Sequence, residues 1–380
     1  MKKIIELVNS PDAKNIFDLF SENQGVYLVG GCVRDFLSGK KVEDIDFAVD
    51  IEPKEVVQVL TNKNIEFYDI GINYGTVTAI VNSKKYEITS FREDIETDGR
   101  HAKVSYTKDM KTDSFRRDFT INAIYASRNG ELFDFHGGLK DLENRKLRFI
   151  GSAEERIKED YLRILRYFRF YNDFSNLNND SRLNKIFKEE SINLSKISKE
   201  RIWSELKKII SNTHSLKSLS LMHELNILSS VSEQLLLTQE YSKLLQIEDK
   251  INESIDPQLK LSILLENSEY KTDIFLNQFS MSKEVSEKLK SFANLDLSIR
   301  SYLSIKESRA KLYRMGITKF QNFLVLNWVK DSNQKNDLNW HTLYEIAKNF
   351  ERPNFSFGAN DIIRMGIEEG PLVGTILSEL

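Results

Sequence analysis

The segment from residue 26 to residue 50, VYLVGGCVRDFLSGKKVEDIDFAVD, constrains the fold of this chain more than any other. It opens with four apolar residues that suit a buried strand, turns on Gly30 and Gly31, and enters a short helical run near Val33. Glycines let backbone N–H groups approach an anion, and a helix N-terminus favours negative charge. This half of the segment therefore predicts a phosphate site.

The other half is a second apolar strand, predicted over residues 44–49, that carries Asp44 and Asp46. Side chains at i and i+2 of a strand project from the same face, so we expect the two carboxylates to point together. Such a pair suits two Mg²⁺ ions. A Gly-Gly turn or an Asp-x-Asp pair is common alone, but both together at neighbouring strand ends favour metal-assisted phosphoryl or nucleotidyl transfer.

Composition narrows the class of protein. The 380 residues, 40% of them hydrophobic, predict two or more domains with sizeable cores. We expect no signal peptide and no membrane span, because apolar runs are too short. A single cysteine, Cys32, excludes an internal disulfide and predicts a cytoplasmic location. The five histidines are scattered without a His-Asp dipeptide, which argues against a zinc site or a His/Asp phosphohydrolase module.

Net charge does not by itself indicate nucleic-acid binding. The chain has 54 Lys and Arg against 57 Asp and Glu, a formal charge of -3. A nucleic-acid partner would therefore need a local basic patch. Residues 140–208 contain 17 basic against 12 acidic side chains, so we expect the polyanion surface there.

The predicted fold class is α+β. Residues 26 to about 135 alternate short apolar runs with turns, including a hairpin at Asn82 and Ser83, and predict a mixed sheet with flanking helices. Beyond Gly151 the apolar period becomes helical. We predict a small α/β head over 1–137, a helical neck over 138–215, and a helical body and tail over 216–380.

Two polar segments follow the predicted sheet. Residues 91–107 read either as a surface loop or as a mobile lid. In RRDFTINA, which follows, Arg116 and Arg117 are suited to phosphates and Asp118 to ribose hydroxyls. On a helix Asp118 and Asn122 would share a face. We therefore predict that this segment contributes to the site.

The segment EDYLRILRYFRFY, residues 159–171, predicts a buried helix, since apolar residues cover most of its circumference. Four charged side chains recur along it at every third position, namely Asp160, Arg163, Arg166 and Arg169. Buried ions need a partner or a ligand. They form either an internal salt-bridge ladder or a nucleotide-binding surface.

Hydrogen-bonding patterns predict which bases such a nucleotide-binding surface would accept. A carboxylate accepts and a guanidinium donates, which complements the amine and ring nitrogen on the Watson-Crick edges of cytosine and adenine. Uracil and guanine present the reversed order and would leave buried polar groups unsatisfied. Asp160 with Arg163 would therefore select C and A. A further segment, SKERIWSEL at 198–206, predicts a helix that braces this one.

These segments, with DFHGGLKDL at 134–142, resemble in order and spacing the class II tRNA nucleotidyltransferase family, the CCA-adding enzymes. The resemblance covers roughly residues 26–210, and GIEEGPLVGTIL near the C-terminus is similar to the family's tail motif. It implies template-independent addition of CCA to the 3′ end of tRNA from CTP and ATP, with release of pyrophosphate. It also implies no obligate protein partner.

The resemblance assigns roles residue by residue. Asp44 and Asp46 would be catalytic and hold two Mg²⁺ ions, one activating the tRNA 3′-hydroxyl and one stabilising pyrophosphate. The implied nucleotide-binding residues are Gly30, Gly31, Arg34, Arg117, Asp118, Asn122, Asp160, Arg163, Arg166 and Arg169. Asp98, Gly99 and Arg100 would belong to the family's flexible loop, whose full length favours complete CCA addition. Gly370 and Gly374 would contact RNA phosphates.

Two kinds of alternative stay open at this point. A poly(A) polymerase, or an enzyme that adds only A or only CC to tRNA, would share most of these motifs. A catalytically inactive RNA-binding protein is an alternative of another class. The paired carboxylates Asp44 and Asp46 argue against it, because binding alone does not need them.

Overall fold

The structure is a computed structural model that describes residues 4–97, 102–175, 180–353 and 358–379. Its N-terminal part is built on a mixed sheet and the remainder is helical, which confirms the predicted α+β class. The described strands are β1 Val26–Val29, β2 Asp46–Val49, β3 Glu66–Tyr68, β4 Thr76–Val81, β5 Lys84–Ser90, β6 Arg92–Thr97, β7 Ala102–Tyr106, β8 Ile124–Ser127 and β9 Leu132–Asp134.

Seven of these strands form one sheet in the order β3-β4-β5-β2-β1-β8-β9, and β6 pairs with β7 in a separate hairpin. Strand β2 lies between β1, to which it is antiparallel, and β5, to which it is parallel. The predicted β4–β5 hairpin is confirmed, and both Asn82 and Ser83 have positive φ in its tight turn. This order puts the aspartate-bearing strand β2 in the middle of the sheet.

Helices flank the sheet and then make up the rest of the chain. Those of the sheet-containing part are α1 Ile4–Val8, α2 Pro11–Phe17, α3 Gly31–Leu37, α4 Pro53–Asn62, α5 Met110–Phe115 and α6 Gly138–Glu143. Those that follow are α7 Ala153–Glu159, α8 Leu162–Phe174, α9 Ser181–Glu190, α10 Lys199–Ser211, α11 Ser215–Glu224, α12 Ile227–Val231, α13 Gln239–Ile251, α14 Pro257–Leu264, α15 Glu269–Phe279, α16 Lys283–Ala293, α17 Ile305–Met315, α18 Ile317–Lys330, α19 Asp337–Lys348, α20 Ala359–Arg364 and α21 Pro371–Glu379. In the part of the chain that the structure describes, no helix is both long and apolar enough to cross a membrane.

The buried apolar residues form two main hydrophobic cores. The first lies between the sheet and helices α1–α4, with Phe17 and Phe47 in edge-to-face contact 5.5 Å apart. The second runs without interruption from Phe119, just before β8, to Ala347 in α19. Because this core already includes Phe119, it begins ahead of the predicted boundary at residue 137. The boundaries at 137 and 215 stay predictions.

Several predicted element bounds are corrected. Strand β2 begins at Asp46, so Asp44 precedes it, and helix α3 begins at Gly31 rather than near Val33. Residues 91–107 are not a plain loop, because β6 and β7 pair from Arg92 to Tyr106. The predicted flexible-loop residues Asp98, Gly99 and Arg100 lie outside the described residues.

The two charged segments also differ from their predicted helices. In RRDFTINA the chain makes only a short 3₁₀ turn, Thr120–Asn122, after an extended Phe119. Asp118 and Asn122 still meet, because the turn brings the Asn122 amide within 3.0 Å of the Asp118 carboxylate. Helix α8 begins at Leu162, and Asp160 occupies an extended residue between α7 and α8. Asp160 is thus placed at the helix entrance rather than on the helix.

Candidate active site

A cleft of about 510 Å³ lies where β1, β2 and the turn before β8 face helix α8. All ten predicted nucleotide-binding residues line it, together with Asp46. The full lining is Gly30, Gly31, Arg34, Asp46, Asp94, Arg116, Arg117, Asp118, Asn122, Asp160, Leu162, Arg163, Arg166, Arg169, Phe170 and Arg201. Seven arginines face four aspartates there, so the cleft has an excess of positive charge suited to a polyanion.

The Gly30-Gly31 turn forms one wall of the cleft. Gly30 has φ +76° and ψ −127°, a conformation open essentially only to glycine. A Cβ at Gly30 would stand 3.7 Å from Nη1 of Arg117. Glycine therefore keeps open the space between the backbone and that guanidinium, which is where a phosphate could reach both.

Arg34, on α3, links the head to the helix α8. Its Nε and Nη2 donate to Asp35 at 2.8 and 2.6 Å, and its Nη1 donates to Oδ1 of Asn122 at 2.6 Å. The guanidinium lies over the rings of Phe170 and Phe174, 4.6 and 5.4 Å from their centroids. These contacts fix its orientation, because a planar guanidinium can stack and donate at once.

A fully buried carboxylate that the sequence analysis missed, Asp113, holds two further arginines. It accepts from Arg116 at 2.8 Å, from Arg117 at 3.1 Å and from the hydroxyl of Tyr125 at 2.6 Å. Burial alone would raise the pKa of Asp113, but Arg116 and Arg117 outweigh it and hold the pKa at about 2. Asp113 thus stays ionised and anchors both cations at the cleft.

Asp118 is also buried, and its acceptor positions are filled. Oδ1 accepts from the Phe119 N–H at 2.8 Å and from Asn122 at 3.0 Å, while Oδ2 accepts from Nε of Arg166 at 2.7 Å. Burial would raise the pKa of Asp118, but Arg166 and Asn122 lower it to about 2. A ribose hydroxyl could contact Asp118 only by sharing or replacing one of these donors.

The predicted base-reading pair lies in the cleft, but its two members bind other partners. Asp160 accepts from Nη2 of Arg201 at 2.7 Å, and its other oxygen accepts from the Leu162 N–H at 3.1 Å. Arg163 donates to Glu159 at 2.6 Å and to the Arg156 carbonyl at 2.7 Å. Among the described residues, no ion pair joins two members of the predicted internal ladder, and each of the four side chains pairs with a residue of another element.

Glu205, on α10, forms ion pairs with the remaining two arginines, Arg166 and Arg169. Its buried Oε1 lies 3.5 Å from both Arg166 and Arg169 and 3.7 Å from Lys208. Its Oε2 is buried and has no hydrogen-bond partner among the described residues. Arg169 also lies over Phe170, 4.9 Å from the ring centroid. The predicted bracing role of α10 is consistent with these contacts.

Asp44 and Asp46 face a second cleft of about 560 Å³ together with Glu87, which the sequence analysis missed. Glu87 is the register partner of Asp46 on β5. Burial, Glu87 and Asp44 raise the pKa of Asp46 to about 6, although Arg117 lowers it. Crowded carboxylates of this kind are stabilised by a divalent cation.

Asp44 and Asp46 fit a site for Mg²⁺. Among the described residues no three Asp, Glu, His or Cys side chains converge to form a complete protein metal site. Mg²⁺ is usually held by one or two carboxylates, with waters and substrate phosphates completing its shell. Asp44 and Asp46, beside a cleft suited to phosphates, provide that incomplete set.

Two predicted RNA-contacting residues lie far from this cleft in sequence and do not line it. Gly370 and Gly374 are exposed at the start of α21, and a Cβ at either would meet nothing within 4 Å. Of the residues that the sequence analysis missed, Arg201 lies in the segment SKERIWSEL, whereas Asp113 and Glu87 have no motif of their own. Asp113 and Glu87 become visible only once the sheet register and the buried ion pairs are known.

The fold and cleft define a nucleotidyltransferase, and comparisons with known proteins agree. A family model described as "Poly A polymerase head domain" matches residues 26–148, and one described as "Probable RNA and SrmB- binding site of polymerase A" matches residues 176–236. The chain is 32% identical over 380 residues to "CCA tRNA nucleotidyltransferase 1, mitochondrial" of Homo sapiens, covering 97% of this chain and 84% of that protein.

A second relative is the "CCA-adding enzyme" of Streptococcus gordonii, 30% identical over 370 residues, with 93% of this chain and 87% of that protein covered. The chain belongs to the CCA-adding tRNA nucleotidyltransferase family. It shares the fold of the Bacillus stearothermophilus CCA-adding enzyme solved in complex with CTP. That structure is 21% identical, with a TM-score of 0.69 over 97% of this chain and 92% of that one.

Proposed function

We propose that this chain adds CCA to the 3′ end of tRNA from CTP and ATP, with its own side chains selecting the two bases. The observation that carries the proposal is the 510 Å³ cleft, which brings the Gly30-Gly31 turn, the arginines and Asp46 together. The chain's relatives are named as a CCA tRNA nucleotidyltransferase and a CCA-adding enzyme, and solved neighbours include complexes with CTP and with a primer tRNA plus an ATP analogue.

The triphosphate would lie along the Gly30-Gly31 turn. Gly30 leaves room for close approach of the backbone, and Arg117 is held beside that space by Asp113 and Tyr125. Arg34, oriented by Asp35 and Asn122, would offer a second cation. Fixed guanidinium groups bind phosphate oxygens without reordering, which strengthens their interaction with the charge that develops during transfer.

The sugar and base would lie toward α8. Asn122 is tied to both Asp118 and Arg34, and we place the ribose against this group. Asp160 and Arg163 would read the Watson-Crick edge of C or A by exchanging their present partners for the base. Arg166 and Arg169 would hold the nucleotide and its neighbours in position, supported by Asp118 and Glu205.

Asp44 and Asp46 would hold two Mg²⁺ ions. When bound, such ions lower the pKa of a hydroxyl and neutralise charge on phosphate oxygens. In the reaction the 3′-hydroxyl oxygen of the tRNA forms a bond to the α-phosphorus, and the bond from that phosphorus to the β-phosphate oxygen breaks. Pyrophosphate leaves, and the hydroxyl proton passes to solvent. The arginines of the cleft bind the departing phosphates.

Two further assignments concern the contact of the C-terminal helix with RNA and the cellular compartment. The exposed Gly370 and Gly374 would let the start of α21 approach an RNA phosphate closely. A cytoplasmic location fits the single cysteine, Cys32, which is buried. The name of the human relative places that protein in mitochondria, so fractionation of the host cell is the measurement that decides the compartment.

The proposed function is tested with purified protein, Mg²⁺, radiolabelled CTP or ATP, and tRNAs ending at the discriminator base, at C or at CC. We expect two C residues and one A to be added, with growth stopping after CCA. Long A tails on unrelated RNA would instead establish a poly(A) polymerase. Addition of A alone or of CC alone would establish a partial enzyme, and tRNA binding without incorporation would overturn catalysis altogether.

A further inference from the structure

An ion pair joins two walls of the nucleotide cleft at one end. One wall includes helix α3, which carries Arg34, and the other is helix α8, which carries three more of the arginines that line the cleft. Just after α3, Nζ of Lys40 lies 2.8 Å from Oδ2 of Asp173, in the last turn of α8. The described lining of the cleft includes neither residue. Their contact therefore connects the two walls from outside the space that a nucleotide would fill.

The last ring of α8 also contacts Lys40. Nζ of Lys40 lies 4.7 Å from the ring centroid of Phe174, and Cζ of Arg34 lies 5.4 Å from the same centroid. Phe174 is buried. A cation over the face of an aromatic ring is attracted to it. Lys40 thus contacts α8 in two ways, through a carboxylate and through a ring.

Asp173 is placed against the preference of its own helix. The C-terminal end of a helix carries partial negative charge, so a carboxylate in the last turn is destabilising there. Helix α8 has no basic residue in that turn to offset it. Compensation comes from other elements, because Oδ2 faces Lys40 and Oδ1 accepts from Nδ2 of Asn212 at 3.0 Å. Asp173 therefore contributes to contacts between elements rather than to its helix.

The backbone around Lys40 directs its side chain to α8. Gly39 has φ +73° and turns the chain after α3, and the Lys40 N–H then donates to the Asp35 carbonyl at 2.8 Å. Further along, Val42 packs against the first hydrophobic core, so the chain is held a second time before it reaches Asp44. A substitution at Lys40 should therefore change the contact with α8 and leave Asp44 in place.

A bound nucleotide would touch both walls, with its triphosphate along the Gly30-Gly31 turn and its base against α8. We propose that Lys40 and Asp173 form a clamp that holds the two walls at the separation a nucleotide needs. Both are then positioning residues, because they act by preorganising the cleft and not by contact with substrate. This inference rests on the proposed function, and it adds that the clamp strengthens binding of CTP and ATP equally.

The contribution of the clamp is modest because water reaches it. The side chains of Lys40 and Asp173 are 41% and 23% exposed. Ion pairs at such positions are weak, so loss of this one should raise the Kd for a nucleotide by roughly two- to fivefold. Salt screens exposed pairs, and the effect should shrink when NaCl is raised to roughly 0.5 M.

Equilibrium binding of CTP and ATP to the full chain with Mg²⁺ is the test. Lys40→Met keeps the aliphatic stem over Phe174 and removes the charge, so it should raise both Kd values by the same factor. Asp173→Asn keeps an acceptor for Asn212 and should have the same effect. Lys40→Glu brings like charges together and should weaken binding further. Combining Lys40→Glu with Asp173→Lys restores opposite charges and should recover most of the affinity that Lys40→Glu loses.

Two controls separate the clamp from a general disturbance of the fold. Inorganic tripolyphosphate can bind along the Gly30-Gly31 turn without reaching α8, so its Kd should be the same in every variant. Lys290→Met removes the cation of a comparable pair, in which Nζ of Lys290 lies 2.9 Å from Asp273 and the side chains are 56% and 48% exposed. It should leave CTP binding unchanged. In turnover, Lys40→Met should raise the KM for CTP and leave kcat unchanged.

The outcomes distinguish this proposal from the proposed function. If Lys40→Met and Asp173→Asn bind CTP as the wild type does, or if the charge-swapped pair recovers nothing, the ion pair is only a surface contact and the clamp is refuted. Equal weakening of CTP and tripolyphosphate would also refute it, because the phosphate wall itself would then be disturbed. A wild-type protein that binds CTP but adds no nucleotide to tRNA would contradict the proposed function alone.

Discussion

Replacing Asp118 with asparagine would test how the arginines of the cleft are held. With its amide oxygen kept toward the Phe119 N–H and Asn122, the substitution puts an NH2 donor in place of Oδ2, which faces Arg166. Arg166 then loses its 2.7 Å charge-assisted hydrogen bond and retains only Glu205 at 3.5 Å. The side chain of Arg166 is 31% exposed, so water solvates part of its charge, but the loss of its close partner should lower both stability and nucleotide binding.

The magnitude follows from the pKa of Asp118. That pKa is about 2 in the folded chain, against 3.8 for a free aspartate, because Arg166 and Asn122 outweigh the effect of burial. At 1.36 kcal/mol per pKa unit, ionised Asp118 stabilises the fold by about 2.5 kcal/mol at pH 7. A lowered pKa means that this contribution is complete above about pH 4 and is lost as the pH falls toward about 2.

Urea unfolding at pH 7 is the measurement. Asp118→Asn should lower the free energy of unfolding by about 2–3 kcal/mol and raise the KM for CTP, because Arg166 is released. In a double-mutant cycle with Arg166→Met, the coupling free energy should be about 2 kcal/mol. If Asp118→Asn unfolds within 0.5 kcal/mol of wild type and shows no coupling to Arg166, the buried pair is not what holds this arginine.

Three further substitutions address the proposed chemistry. Asp44→Ala should abolish nucleotide incorporation while leaving tRNA binding largely intact in a filter-binding assay, and near-normal turnover with Mg²⁺ would remove Asp44 from the metal site. Asp46→Asn should also be inactive, yet in chelator its free energy of unfolding at pH 7 should rise by up to about 3 kcal/mol, because burial and Glu87 raise the pKa of Asp46 to about 6. That gain should shrink as the pH falls from about 6 to about 4, and its absence at pH 7 would show that the carboxylates are not crowded. Asp160→Ala should relax discrimination against UTP and GTP in incorporation assays, and unchanged selectivity would move base reading to other residues.

Much of the site could be predicted from the sequence because its key residues sit in short local patterns. The Gly30-Gly31 turn, the Asp-x-Asp pair and the three-residue repeat of charges along α8 each combine a backbone requirement with a charge pattern. All ten predicted nucleotide-binding residues line one cleft for this reason. Their individual contacts with substrate stay predictions.

Long-range pairing could not be predicted in the same way. Glu87 becomes significant only because β2 pairs with β5 in a register that puts it opposite Asp46. Asp113 lacks a motif, and Glu205 lies in SKERIWSEL without being singled out there, since a buried carboxylate is identified by the cations that fold around it. The bounds of α8 were wrong by three residues for a related reason. Asp160 is an extended residue between α7 and α8, where one of its oxygens accepts from the Leu162 N–H and the other from Arg201, and it lines the cleft from there.

The arginines of the cleft fall into two groups. Some are fixed by buried carboxylates, and one has a partner that it could exchange for a substrate. Asp113 accepts from Arg117 at 3.1 Å and Asp118 accepts from Arg166 at 2.7 Å, so Arg117 and Arg166 should move little when a nucleotide enters. Arg163 is bound to Glu159, a residue at the solvent edge, and exchanging that partner costs less than breaking a buried pair. Rigid arginines would suit the triphosphate and sugar, which are common to CTP and ATP, and the exchangeable one would suit the base, which is not.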